Sequence, residues 1–218
     1  MNRREWFSSL TGGAAVCEPV SGPCGASLIP NATLRTHDDV PVRFYDDVIR
    51  GKQVVINMMY ATCEGQCPAI TAQLVKVHET LKGRMGKDLF MYSISMKPEV
   101  DNPAALKSFA EMHGALLPGW TFLTGDAYDI ETIRYRLFGM DHIKFDMDLG
   151  MHTSMLRIIN DATNCWTCVT PLASVRTVVQ HISWADPPKS FEQRMEDNRK
   201  LQREIDAEVK LYGYRKIV

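Results

Sequence analysis

The stretch "QVVINMMYATCEGQCPAITAQL", residues 53–74, decides how this chain is read. Its first eight residues form an apolar run of strand length containing the β-branched Val54, Val55 and Ile56, the pattern of a strand covered on both faces. Its second half places Ile70 and Leu74 at helical spacing, continued by Val77 and Leu81. Pro68 suits the first turn of that helix and Gly83 follows its end. Between strand and helix stand Cys63 and Cys67.

Three residues separate these thiols, whereas a redox dithiol usually has two and a zinc knuckle needs a second pair at matching spacing. At a helix mouth, with Pro68 as the expected first helical residue, free N–H groups and the helix dipole favour thiolate. Two neighbouring thiolates repel, so they need a proton, a disulfide bond or a cation. Cu(I) takes thiolate donors by preference, but two donors undersupply most metals and structural zinc wants four. The candidate third donor is His152, in "GMHTSMLRIIND", just before a strand. A loop histidine is more often a surface residue. His37, His78, His113, His142 and His181 fall in turns, helices or a charged loop, and none is aimed at the Cys loop.

Outward from this stretch, strands and helices alternate. "LRTHDDVPVRF" reads as a hairpin turning at Asp38-Asp39. "LFMYSISM" is a strand, and "DNPAALKSFAEMHG" is a helix capped by Asp101 or Asn102, with Pro103 at its first position and Gly114 past its end. "WTFLTG" is a short strand followed by a helix over 127–138, "MLRIIND" is another strand, and Thr170-Pro171 is expected to start a helix through about His181. The fold class is α/β, a sandwich with a mixed central sheet. The Cys pair sits at a strand's carboxyl end, where such folds place their chemistry.

Residues 1–31 read as a leader or flexible tail, 32–185 as the domain, and 186–218 as a charged amphipathic helix with Phe191, Met195, Ile205 and Val209 on one face. That helix lies against the domain, meets a partner or is simply solvated. "MNRREWFSSLTGGAAV" resembles a twin-arginine signal and suggests an exported, periplasmic protein. A flexible arm with a chance Arg pair is the other reading. The formal net charge of -1 gives no bulk attraction to nucleic acid or anionic membrane. No run is long and apolar enough for a transmembrane helix.

The six cysteines fall as three close pairs, which suits thiol redox work, metal binding or an oxidising compartment. Cys165 and Cys168 have redox spacing but the wrong context: along a strand, side chains three apart point to opposite faces and cannot easily bridge. A structural or accessory role is favoured over catalysis. Cys17 and Cys24 flank a flexible segment and could form a disulfide, give accessory donors or leave with a leader. Met58, Met59, Met96, Met151 and Met155 cluster near the site in sequence, where packing is the default and Cu(I) ligation the alternative.

Four blocks in order, "QVVINMMYATCEGQCPAITAQL", "YSISMKPEVDNPAALKSFAEMHG", "GWTFLTGD" and "MHTSMLRIIND", closely resemble the SCO/SenC family across residues 33–183. The resemblance implies a thioredoxin-like three-layer sandwich. It implies copper, as Cu(I) or Cu(II), held by Cys63, Cys67 and His152. It further implies delivery to the copper site of cytochrome c oxidase or another copper-accepting protein, or reduction of the cysteines in that site. Three features depart from the family pattern: Met96-Lys97-Pro98 where an Asp-Pro is common, a weak export signal where a membrane anchor is usual, and "NCWTCVT" in an ordinary hairpin strand. The competing readings are a thiol-disulfide reductase or peroxide-reducing enzyme using Cys63 and Cys67, and a redox-sensing or interaction module.

Overall fold

Strand β3, Gln53–Met59, is buried at every position. Val55 and Met59 pack into one hydrophobic cluster, and Val54, Ile56 and Met58 into another. This is why its sequence is a continuous apolar run: a strand covered on both faces has no polar side to show. The computed structural model describes residues 28–138 and 155–188, together with positions 190, 192, 193, 195, 196, 199 and 203.

The elements before β3 are β1 (Thr33–Thr36), β2 (Pro41–Arg43) and a π-helical turn over Phe44–Ile49. After it come α1 (Gln66–Thr80), β4 (Leu89–Ser95), α2 (Pro103–Met112), β5 (Trp120–Gly125) and α3 (Ala127–Phe138). They are followed by β6 (Leu156–Asn160), β7 (Cys165–Val169) and α4 (Val175–Trp184). The sheet order is β2-β1-β5-β4-β3-β6-β7. The pairs β3/β4 and β4/β5 are parallel, and the rest are antiparallel. On one face Ile70, Leu74 and Val77 of α1, Leu106 and Phe109 of α2, and Val178 and Ile182 of α4 form the core. On the other lie Ile130, Ile133 and Leu137 of α3 with Phe44 and Ile49 of the π-helical turn. The result is a three-layer α/β sandwich with a mixed sheet, as the sequence predicts.

Local signals account for most boundaries. Asp39 turns the β1–β2 hairpin with φ 62°, a conformation its short polar side chain tolerates. Asn102 accepts the Ala105 N–H at 2.9 Å and Pro103 follows as the first residue of α2. Gly119, just before β5, has φ 76°, and a Cβ there would lie 2.3 Å from the Gly86 backbone nitrogen, so only glycine fits. Trp120 then donates its indole N–H to Ser93, whose hydroxyl donates to Asn57 at 2.7 Å, satisfying the buried amide within β3.

Two helix starts differ from expectation. The first helix begins at Gln66, not Pro68, which places Cys67 inside the first turn. The N–H groups of that whole turn have no helical acceptor, so proline is tolerated throughout it. The last helix begins at Val175, where Ser174 accepts the Thr177 N–H at 3.1 Å; Pro171 lies in a preceding turn closed by the Ala173 N–H to the Thr170 carbonyl.

The chain divides into two units, Met1–Asp186 and Pro187–Val218. In the second, Ser190 and Gln193 exchange side-chain-to-backbone hydrogen bonds in a capping box, and Glu196 pairs with Arg199 and Arg203. The described positions 192, 193, 195, 196, 199 and 203 are helical, and Met195 is exposed. Phe191, Ile205 and Val209 lie outside the described residues. Among the described residues no helix is long and apolar enough to cross a membrane.

Candidate metal and thiol centre

The chain leaves β3 at Met59 and makes a tight turn in which the Cys63 N–H donates to the Tyr60 carbonyl at 3.2 Å. It enters α1 with Gly65 as cap and Cys67 as second helical residue. Both sulfurs are free thiols, and the residues are buried, 5% and 2% exposed. A Cβ at position 65 would make an ordinary 3.8 Å contact with the Cys63 sulfur, so the sulfur's room does not depend on the glycine.

The two sulfurs are chemically unequal. Burial pushes the Cys63 thiol up, but hydrogen bonds outweigh it and bring the group below its ordinary value: the Cys67 N–H and thiol, the Gly65 N–H and the Tyr60 hydroxyl all point at the Cys63 sulfur. Cys67 goes the other way, to about 12. Its deeper burial dominates, and negative charge on Cys63 and Asp101 adds to it, although the Tyr60 backbone N–H opposes the shift. Of the two, Cys63 is therefore the sulfur that gives up its proton first, while Cys67 keeps its own and shares a hydrogen bond with it, so the pair avoids the repulsion expected between two thiolates. A soft cation replacing that shared proton would meet two sulfur donors already side by side.

Asp101 joins the site from the start of α2. It is fully buried, and its Oδ2 accepts the Ala61 N–H at 3.0 Å and the Ser95 hydroxyl at 2.6 Å. Among the described residues its Oδ1 has no hydrogen-bond partner. Ser95 Oγ in turn accepts the Lys97 N–H at 3.0 Å, and the Lys97 ammonium lies 4.3 Å from the centre of the Tyr60 ring. Sequence reading offers Asp101 as an alternative cap of α2; Asn102 caps it, and Asp101 turns to the Cys loop instead. Tyr60 carries no periodic or motif signal beyond its place between strand and first cysteine.

His152, His142 and Met151 lie outside the described residues. Among the described residues no three His, Cys, Asp or Glu side chains are grouped to hold a metal, so this part of the site supplies the two thiols. The other histidines are engaged elsewhere. His78 is buried and meets the Pro118 carbonyl through Nε2 at 2.8 Å; His37 Nδ1 accepts the Phe122 N–H; His113 packs on Phe109 and His181 on Trp184. Met58 and Met59 are core residues, and Met96 and Met155 pack against the core, as packing predicts.

A family model described as SCO1/SenC matches residues 32–185. The chain belongs to the SCO1/SenC family. The SCO1 protein homolog of Bacillus subtilis (strain 168) is 32% identical to it over 77 residues, 35% of this chain and 39% of that protein. The match thus spans about two fifths of the curated relative. Among solved structures, BsSco superposes with a TM-score of 0.59 at 22% identity, covering 77% of this chain and 98% of its own. That protein is described as a member of the Sco family of cytochrome c oxidase assembly proteins with a disulfide switch. ScoI of Arabidopsis thaliana, solved with copper bound, superposes with a TM-score of 0.56 at 16% identity over 70% of this chain and 94% of its own. These likenesses establish the thioredoxin-like Sco fold.

The second described cysteine pair behaves as strand geometry requires in this SCO1/SenC chain. In β7, Cys165 is buried in the core while Cys168 faces the opposite side and is a free thiol. Cys165 is disulfide-bonded. Cys17 and Cys24 lie outside the described residues.

Proposed function

We propose that this chain is a copper-binding protein of the Sco type, in which Cys63 and Cys67 hold the metal and His152 completes the site. One observation carries the reading: two free, buried thiols share a hydrogen bond where β3 turns into α1, in a chain of the SCO1/SenC family. Thiolates favour Cu(I), and a third nitrogen donor would fill the coordination that two sulfurs leave short. Topology supports His152. β6 runs antiparallel to β3 with Arg157 opposite Ile56, so β6 begins at the end of the sheet where β3 leaves for the Cys loop. His152 precedes β6 by four positions. The copper-bound state of Arabidopsis ScoI supports the metal. Family membership supports delivery to the copper site of cytochrome c oxidase or another exported copper enzyme, and the twin-arginine-like stretch supports an exported location. Contact with that partner through residues 186–218 belongs to the same proposal.

The test is copper stoichiometry and affinity of the reduced full chain, with His152→Ala beside wild type. One copper per chain and at least a tenfold loss in the variant are expected; unchanged affinity and metal spectrum remove His152 from the site.

A second reading, thiol-disulfide reduction of a copper-accepting protein, is favoured by the inequality of the two sulfurs. A low Cys63 and a high Cys67 are the arrangement of an attacking thiolate and a resolving thiol. It predicts a reversible Cys63–Cys67 disulfide in glutathione redox buffers, and failure to form that bond rejects it.

A further inference from the structure

Tyr60, Asp101, Ser95 and Lys97 form a ring of contacts at the end of the sheet where the Cys loop leaves it. β3 and β4 are parallel with Met59 opposite Ser95, so the two strands exit side by side, and the Met96 N–H donates to the Met59 carbonyl at 2.7 Å. Beyond β4 the chain is pinned. The Lys97 N–H donates to Ser95 Oγ at 3.0 Å, and the Val100 and Asp101 N–H groups both donate to the Lys97 carbonyl. Asp101 stands just before α2, whose Leu106 and Phe109 are buried in the core, so its backbone rides on a fixed element. The loop beyond β3 faces solvent: Thr62, Glu64, Gly65 and Gln66 are exposed, while Cys63 among them is buried.

Asp101 Oδ2 bridges the fixed element and the loop, accepting the Ser95 hydroxyl at 2.6 Å and the Ala61 N–H at 3.0 Å. A fully buried carboxylate whose other oxygen has no hydrogen bond among the described residues costs stability, so packing alone does not account for it. What the charge provides is a strong acceptor for an N–H two residues before Cys63.

We propose that Asp101 is a positioning residue that latches the Cys loop onto the end of the sheet and sets how often the loop lifts to uncover Cys63 and Cys67. The inference rests on the reading of those two cysteines as the functional centre. Asp101 acts through the backbone: it fixes Ala61, and Ala61 lies within the turn that the Cys63 N–H closes onto the Tyr60 carbonyl. Ser95 serves the latch by holding the carboxylate in register, since its hydroxyl donates to Oδ2 while its oxygen accepts the Lys97 N–H. Lifting the loop exchanges one charge-assisted hydrogen bond for bonds to water and leaves the sheet intact, so the opening is local.

The experiment measures hydrogen-exchange protection of single amides in the reduced, metal-free full chain, with Asp101→Ala, Asp101→Asn and Ser95→Ala. The reporter is the Cys63 amide, whose own acceptor, the Tyr60 carbonyl, no substitution touches; the control is the Met96 amide at the root of the loop. Asp101→Ala is expected to lower Cys63 protection about thirtyfold and Ser95→Ala about threefold, with Met96 unchanged. Asp101→Asn keeps an oxygen for Ala61 and Ser95 and is expected to bring Cys63 back to within about threefold of wild type. Unchanged Cys63 protection in Asp101→Ala overturns the latch, and so does an equal loss at Met96, which marks a general loosening of the sheet end. An Asn variant no better protected than the Ala variant overturns the role of the acceptor oxygen. Should Asp101→Ala fail to fold, Ser95→Ala decides: a loss at Cys63 with Met96 unchanged upholds the latch, and no loss overturns it. Copper stoichiometry of wild type is measured in parallel: a chain that binds no copper yet shows the Cys63 effect refutes the metal reading and upholds the latch.

Discussion

Two cysteine pairs of this chain differ by one residue of spacing and by everything else. Cys165 and Cys168 have the closer spacing, yet they sit in a strand, where the two-residue period sends one side chain into the core and the other to the opposite face. Cys63 and Cys67 are further apart in sequence, but a tight turn and the first turn of a helix bring their sulfurs within one hydrogen bond. Spacing between thiols means little until the backbone that carries it is known. A strand separates what a strand-to-helix junction unites.

The largest test of the contrast exchanges the roles. Cys67→Ser is expected to lower copper affinity more than a hundredfold, roughly 3 kcal/mol or more, while Cys168→Ser leaves it unchanged; competition with a Cu(I) chelator reads both. A loss in Cys168→Ser equal to that in Cys67→Ser would erase the distinction.

Next comes pH. Cys67 holds its proton up to about 12 in the folded chain, well above an ordinary thiol. Above the unfolded-state value the unfolded chain binds fewer protons than the folded one, so stability falls as pH rises. The metal-free reduced protein is expected to lose on the order of 3 kcal/mol between the ordinary thiol range and about pH 12. Oxidation to a Cys63–Cys67 disulfide should abolish that component, as urea unfolding at several pH values would show. The Cys63 shift runs in the opposite sense and its contribution falls away as pH drops through its own lowered value.

The smallest test compares the two sides of β7. Cys165→Ala removes a buried, disulfide-bonded side chain and should cost about 2–4 kcal/mol in thermal unfolding. Cys168→Ala should stay within about 0.5 kcal/mol.

Much of the fold was legible because its signals are local. The continuous apolar run of β3, the Asn102-Pro103 start and Gly114 end of α2, and the Asp38-Asp39 turn each depend on a few neighbouring residues. The first thiol pair was legible for the same reason. Boundaries failed where one signal fits several positions: Pro68 suits any place in a first turn, and Pro171 suits a turn as well as a helix start. The π-helical turn Phe44–Ile49 went unseen because it repeats neither the strand nor the α-helical period. The ring of Tyr60, Asp101, Ser95 and Lys97 is non-local. It joins residues roughly forty positions apart through sheet topology, and nothing in the intervening sequence encodes the meeting. Lys97 was visible only as a departure from the family pattern, with no indication that its charge rests on an aromatic ring.

The burial of both sulfurs also sets a clock. A reagent in solution cannot react with a sulfur it cannot touch, so thiol chemistry here is expected to wait on an opening of the loop between β3 and α1. At high acceptor concentration the rate then levels off at the opening rate, and a partner that docks against the loop and lifts it gains speed that concentration alone does not provide. On the proposed function, the cover over the thiols makes turnover a property of the encounter and leaves selectivity to whichever protein can open the loop.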